Sequence, residues 1–219
     1  MTEATRDGSF NRTLSVLGAL FSGLSVFALI ASAWTDGLAQ PIELIVGYYN
    51  SCLNLLLGWA EPLLRALADA LRAWTGFDLH LHAHWKTSVV AYGILVGAGL
   101  SALAERMFAP ALHAPMRVLC GAAGVAVGIV DALLQRDVEP GEAFYGLWQV
   151  FGSSYLLVIT FAFAAMLALG GIVFRHGERS FVGPADAERL WAAGSRTLYV
   201  YAGALVWVLT NAGSKLIGL

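Results

Sequence analysis

Charge is what this chain has least of. Of 219 residues only 13% are Asp, Glu, Lys or Arg, against roughly 25% in a soluble domain. Lysine occurs only at Lys86 and Lys215. A formal net charge of −2 leaves no basic face for phosphate backbones, which excludes nucleic acid as a partner. Cysteine is scarce as well. Cys52 and Cys120 both lie in apolar stretches, which argues against a disulfide framework and for two small buried hydrophobes. There is no phosphate-binding P-loop, dinucleotide glycine pattern, nucleophile elbow or Cys-x-x-Cys pair. The low lysine content beside abundant Arg and Ala suggests a GC-rich bacterial source.

Apolar sequence fills the space that charge leaves. The chain is 58% hydrophobic with a mean hydropathy of +0.68. This pattern predicts an all-α, polytopic helical membrane protein, a single integral domain over residues 1–219. About 20 residues at 1.5 Å rise cover the ~30 Å hydrocarbon core. Five spans are expected on that basis, near 14–34, 87–103, 118–134, 146–174 and 198–216. The first run has a rival reading. Arg6, Arg12, the apolar core and "ASA" at 31–33 also fit a signal peptide, but the run exceeds a usual h-region of about 7–15 residues. An uncleaved helix is the expectation.

Two amphipathic or re-entrant helices are expected between the first and second spans. In residues 41–59, Glu43, Gly47, Asn50 and Asn54 form one narrow polar stripe at helical spacing. Such a helix either lies in the interface or spans with its stripe against protein. Residues 62–75 carry Leu63, Leu64, Leu67, Leu71 and Trp74 on one face. Glu61, Arg65, Asp69 and Arg72 occupy the other, which predicts a surface helix. With five spans, eight Lys/Arg fall on the N-terminal side and five on the opposite side. The N-terminus is therefore expected in the cytoplasm of a bacterial inner membrane.

Small residues carry the packing signal. Gly93, Gly97 and Ser101 recur every four residues in one expected span, and Gly124 and Gly128 do so in the next. Missing side chains let helix backbones approach closely where no hydrophobic force drives them together. A tight antiparallel hairpin is expected, with self-association as a secondary use of these faces.

The stretch "DLHLHAHWK" is the one candidate for metal chemistry. As a strand it would point Asp78, His80, His82 and His84 one way; as a helix, His80 and His84 would share a face. Either offers two or three nitrogen ligands and one oxygen for a divalent metal. No acid is placed as a general base, unlike the H-E-x-x-H arrangement. Alternating polarity at a membrane interface, with Trp85 and Lys86 as anchors, explains the same pattern and is the main expectation.

Intramembrane polar groups supply the remaining candidates. Glu43, Asn50, Asn54, Asp131, Asn211 and Lys215 gather toward one side in the five-span scheme and would suit a polar vestibule. Arg175, Arg179, Arg189 and Arg196 would face anionic lipid headgroups on the other side. The leading expectation is a non-catalytic accessory or scaffold subunit of a membrane assembly, without a cofactor. Its partners would be the lipid bilayer and other membrane proteins. A small oligomeric transporter or channel is the second possibility, with a polar path near Glu43, Asn50, Asn54 and Asp131. A membrane metalloprotein using His80, His82 and His84 is the third.

Overall fold

Proline and glycine punctuate the chain, and helices fill the spaces between them. The computed structural model describes residues 4–32, 37–77, 79–134, 155–176 and 183–219. Its elements are α1 (Ala4–Ser32), α2 (Gln40–Leu57), α3 (Glu61–Thr75), α4 (Trp85–Met107), α5 (His113–Leu134), α6 (Tyr155–His176) and α7 (Pro184–Ile217). One-turn 3-10 helices at Gly58–Ala60 and Pro110–Leu112 join α2 to α3 and lead into α5. Proline stands in the first turn of α2, α3 and α7, where its missing N–H costs no helical bond. Gly76 and Gly218 end α3 and α7 in the left-handed conformation, at φ 72° and 78°, which glycine adopts without a Cβ clash. The described residues are all-helical apart from their connections.

Five of these helices are long and apolar enough to cross a membrane: Ser15–Ser32 within α1, Trp85–Met107, Pro110–Leu134, Leu156–Arg175 and Pro184–Ile217. The helices extend beyond several of the expected limits. α5 begins at His113, not 118, because Pro115 falls in its first turn, where proline is tolerated. α7 continues the last expected span backward to Pro184, and its 34 residues reach about 51 Å. Of the expected 146–174 span, residues 146–154 lie outside the described residues, as do 33–34 of the first.

α4 packs against α5 on one side and α7 on the other; α7 also receives α6 and α1. Contacts fix the directions. Ala19 meets Gly203, Phe27 stacks with Trp207, and Ala39 bonds Asn211, so α1 and α7 run parallel. α4 runs against both. Val26, Phe27, Tyr92 and Leu95 are fully buried in the main core, which α1, α4 and α7 share. α1 is therefore a core element, not an appendage.

α2 is held at both ends by the same end of the bundle. Its N-cap, Ala39, donates its backbone N–H to Asn211 Oδ1 at 2.8 Å, two turns before α7 stops. Near its C-terminus, Asn54 accepts from Lys86 Nζ at 2.7 Å, and Lys86 is the second residue of α4. Between them Tyr49 donates to Ser25 Oγ of α1 at 2.8 Å. A helix of 18 residues is about 27 Å long, enough to lie across this end.

Candidate functional site

The histidine stretch forms neither of the two regular geometries. Residues 79–82 are irregular, Ala83 and His84 make a turn, and α4 starts at Trp85. The His82 N–H donates to the Ala132 carbonyl at 3.2 Å, and His82 O accepts from Trp85 N at 3.2 Å. These bonds pin the segment between the end of α5 and the start of α4. The His82 and His84 rings lie 5.3 Å apart at 43°. Burial, and then the neighbouring His82, hold the His84 imidazole below its ordinary pKa, which favours the neutral ring. Among the described residues, no group of three or more His, Cys, Asp or Glu side chains could hold a metal ion. His80, His82 and His84 do not converge on a ligand set there, and Asp78 lies outside the described residues.

Successive residues advance about 100° around a helix, and α2 divides into three sectors. Ile42, Val46 and Leu53 are buried against the bundle. Glu43, Gly47, Ser51 and Asn54 are exposed on the next sector, with Asn50 half-buried among them. Leu44, Ile45, Tyr48, Leu55 and Leu56 are exposed on the third. α3 repeats the arrangement. Ala68 is buried between half-buried Leu64 and Leu71, Arg65, Asp69 and Arg72 form a polar edge, and Leu63, Leu67 and Trp74 an exposed apolar one.

A polar seam joins α2, α3 and α4. Lys86 Nζ donates to Asn54 Oδ1 at 2.7 Å and to Glu61 Oε2 at 2.9 Å. Arg65 grips the other oxygen of Glu61 at 2.9 Å. Lys86 first and Arg65 second hold the Glu61 carboxyl below its ordinary pKa. Below the seam, a cavity of about 190 Å³ opens between α2 and the first turn of α4, lined by Asn50, Asn54, His84, Lys86 and Thr87 with Leu53 and Ala83.

Only two of the six polar intramembrane candidates line this cavity, Asn50 and Asn54. Glu43 is exposed two turns earlier on α2. Asn211 is buried, with its carbonyl oxygen taken by Ala39. Asp131 is buried, 3% exposed, near the end of α5, and Lys215 is exposed at the end of α7. Glu61 and Thr87 also belong to this region, by the Lys86 bond and by the cavity wall respectively. Their only signal is a position at the edge of the seam, and partners on other helices complete it.

The opposite end of the bundle is tied by carboxylates. Glu105 of α4 accepts from Arg117 of α5 at 3.0 Å and from Arg196 of α7 at 2.6 Å. Arg106 pairs with Glu188 at 2.8 Å. Of the arginines expected at lipid headgroups, Arg196 is thus engaged by Glu105. Arg189 pairs with Asp186 at 2.6 Å, Arg175 is exposed, and Arg179 lies outside the described residues.

The glycines fall into two groups. A Cβ on Gly124 would stand 2.7 Å from the Tyr92 carbonyl oxygen and 2.8 Å from Gly93 Cα; on Gly128, 2.8 Å from the Ser88 oxygen. A Cβ on Gly97 would meet Gly121 Cα at 3.5 Å, and one on Gly93 only the Val125 side chain at 3.5 Å. Ser101 is half-buried. Close approaches to backbone elsewhere join Gly23 to Gly203, Gly171 to Trp191, and Gly194 to Ala164 and Ala168.

No family model, curated protein or solved structure matches this chain.

Proposed function

We propose that this chain is a five-span integral protein of a bacterial inner membrane, acting without chemistry of its own as a scaffold subunit of a larger membrane assembly. The observation that carries this reading is the three-sector division of α2 and α3. A helix with one face on protein, one polar edge and one exposed apolar edge suits a position where bundle, water and hydrocarbon meet. Five apolar helices of sufficient length support the spanning part. The excess of Lys and Arg in the N-terminal segment and the two loops on its side orients the N-terminus to the cytoplasm. α2 and α3 then form a platform on the outer surface. Its apolar edge, with Leu44, Tyr48, Leu55, Leu63, Leu67 and Trp74 exposed, is the surface offered to lipid and to partner helices.

Charged side chains at both ends pair across helices, as in the Lys86–Glu61 and Glu105–Arg196 bridges. That use of charge suits a structural part. A conduit would need Glu43, Asn50, Asn54 and Asp131 along one passage, and Glu43 and Asp131 do not line the cavity that receives the two asparagines. Carbonate washing of membranes tests the spanning part: the chain should stay in the pellet. Purification in mild detergent tests the scaffold part, with a second protein expected in fixed ratio. A chain that runs alone in every detergent and in native nanodiscs contradicts it.

A further inference from the structure

We propose that the cavity between α2 and the first turn of α4 binds a phosphate-class oxyanion, carried on a lipid headgroup or free in solution. Thr87 is only 4% exposed, lines the cavity, and makes no side-chain hydrogen bond among the described residues. This hydroxyl has no partner in the protein yet is not sealed from solvent, so it is available to an occupant of the cavity. The Asn50 amide and the His84 ring line the same cavity and likewise have no hydrogen-bond partner among the described residues. These are three polar groups from two elements around one space.

Charge selects the occupant. Lys86 has three N–H donors and places two of them on Asn54 and Glu61, which leaves one for a ligand. Glu61 is balanced by both Lys86 and Arg65, so the cluster carries a net positive charge. α4 has no side-chain cap at its N-terminus, and the uncapped N–H groups of a first turn favour an anion. A cation is repelled by Lys86 and the helix terminus; an apolar group would leave the three polar side chains unbonded. A phosphate offers enough acceptor oxygens for Lys86, Thr87, Asn50 and His84 together. The volume of about 190 Å³ holds several waters at ~30 Å³ each, and so a phosphate. The lipid source rests on the membrane placement proposed above, whereas free phosphate does not.

The full chain in non-ionic detergent is titrated with inorganic phosphate and, separately, with a short-chain phosphatidylglycerol, read by calorimetry. The parent should bind at one site. Thr87→Val should weaken binding about tenfold, and Thr87→Ser should restore it. Binding of both ligands supports a site for the oxyanion itself, and binding of the lipid alone supports a headgroup site. If Thr87→Val lowers the melting temperature, Asn50→Leu decides, since Asn50 makes no bond that holds the fold. The proposal is overturned if the parent binds neither ligand. It is equally overturned if Thr87→Val and Asn50→Leu, both folded, bind as the parent does. A chain released by carbonate contradicts the membrane placement alone, and the inorganic phosphate titration then decides the cavity.

Discussion

Lys86 Nζ stands 2.9 Å from Glu61 Oε2, and this contact fastens α3 to the first turn of α4. Because the same ammonium holds Asn54, one side chain ties three helices at the end where α2 lies.

Acid should loosen this junction. The Glu61 carboxyl is held below its ordinary value of 4.5 by the Lys86 hydrogen bond, then by Arg65. A depressed carboxylate stabilises the fold above its unfolded pKa, and that contribution is lost as pH falls through the lower folded value. His84, held below 6.5 by burial, acts with the same sign: its contribution begins to fade as pH drops below 6.5. Thermal unfolding in detergent should show a falling melting temperature in both windows. Glu61→Gln should flatten the lower one and His84→Gln the upper. Salt should shrink the Glu61 part, because that pair is partly exposed. Variants that follow the parent across the whole range would show that neither group is linked to folding.

Glycines that look alike in sequence should differ when substituted. Gly124→Ala drives a methyl into the backbone of Tyr92 and Gly93, whereas Gly93→Ala meets only the Val125 side chain. Overpacking of this kind costs about 1–3 kcal/mol. Gly124→Ala should therefore lower stability by that amount in reversible detergent unfolding, with Gly93→Ala near the parent. Equal effects would mean that α4 and α5 do not cross at Gly124.

α1 should be retained in the working protein. Val26 and Phe27 are fully buried between α1, α4 and α7, so cleavage after the "ASA" at 31–33 would open the core. Intact mass of the protein isolated from membranes should include residues 4–32. Phe27→Ala should cost roughly 3–5 kcal/mol. A mass lacking α1, or a Phe27→Ala protein as stable as the parent, would remove α1 from the core.

Local pattern made part of this fold legible. Long apolar runs mark five helices, and the alternation of Leu and charge in residues 61–75 marks α3 as amphipathic. What stayed hidden is pairing across the chain. Gly23 and Gly203 touch, yet Gly203 stands four residues from Tyr199 and Trp207 with no small residue at the spacing that flags a close-packing stripe, and 180 positions separate the two glycines. Glu105 reads as the polar end of a span, and only Arg117 and Arg196 brought beside it make it a clamp. The histidines drew attention by type and repetition. Thr87, an ordinary residue in an apolar run, lines the cavity beside His84 because of where α2 lies. Whether residues 41–59 span could not be read from their stripe. It depends on Ala39 reaching Asn211 and Asn54 reaching Lys86, contacts with residues far along the chain.

The placement of α2 is tested most directly by cysteine labelling in sealed membrane vesicles of known orientation. Gln40→Cys, at the first residue of α2, and Arg65→Cys, in α3 beyond the far end of α2, are both at exposed positions and are made with Cys52→Ala and Cys120→Ala. A membrane-impermeant maleimide should label both from the same side, the outer one. Labelling from opposite sides would mean that α2 crosses the membrane, and would contradict both the interfacial platform and the five-span arrangement.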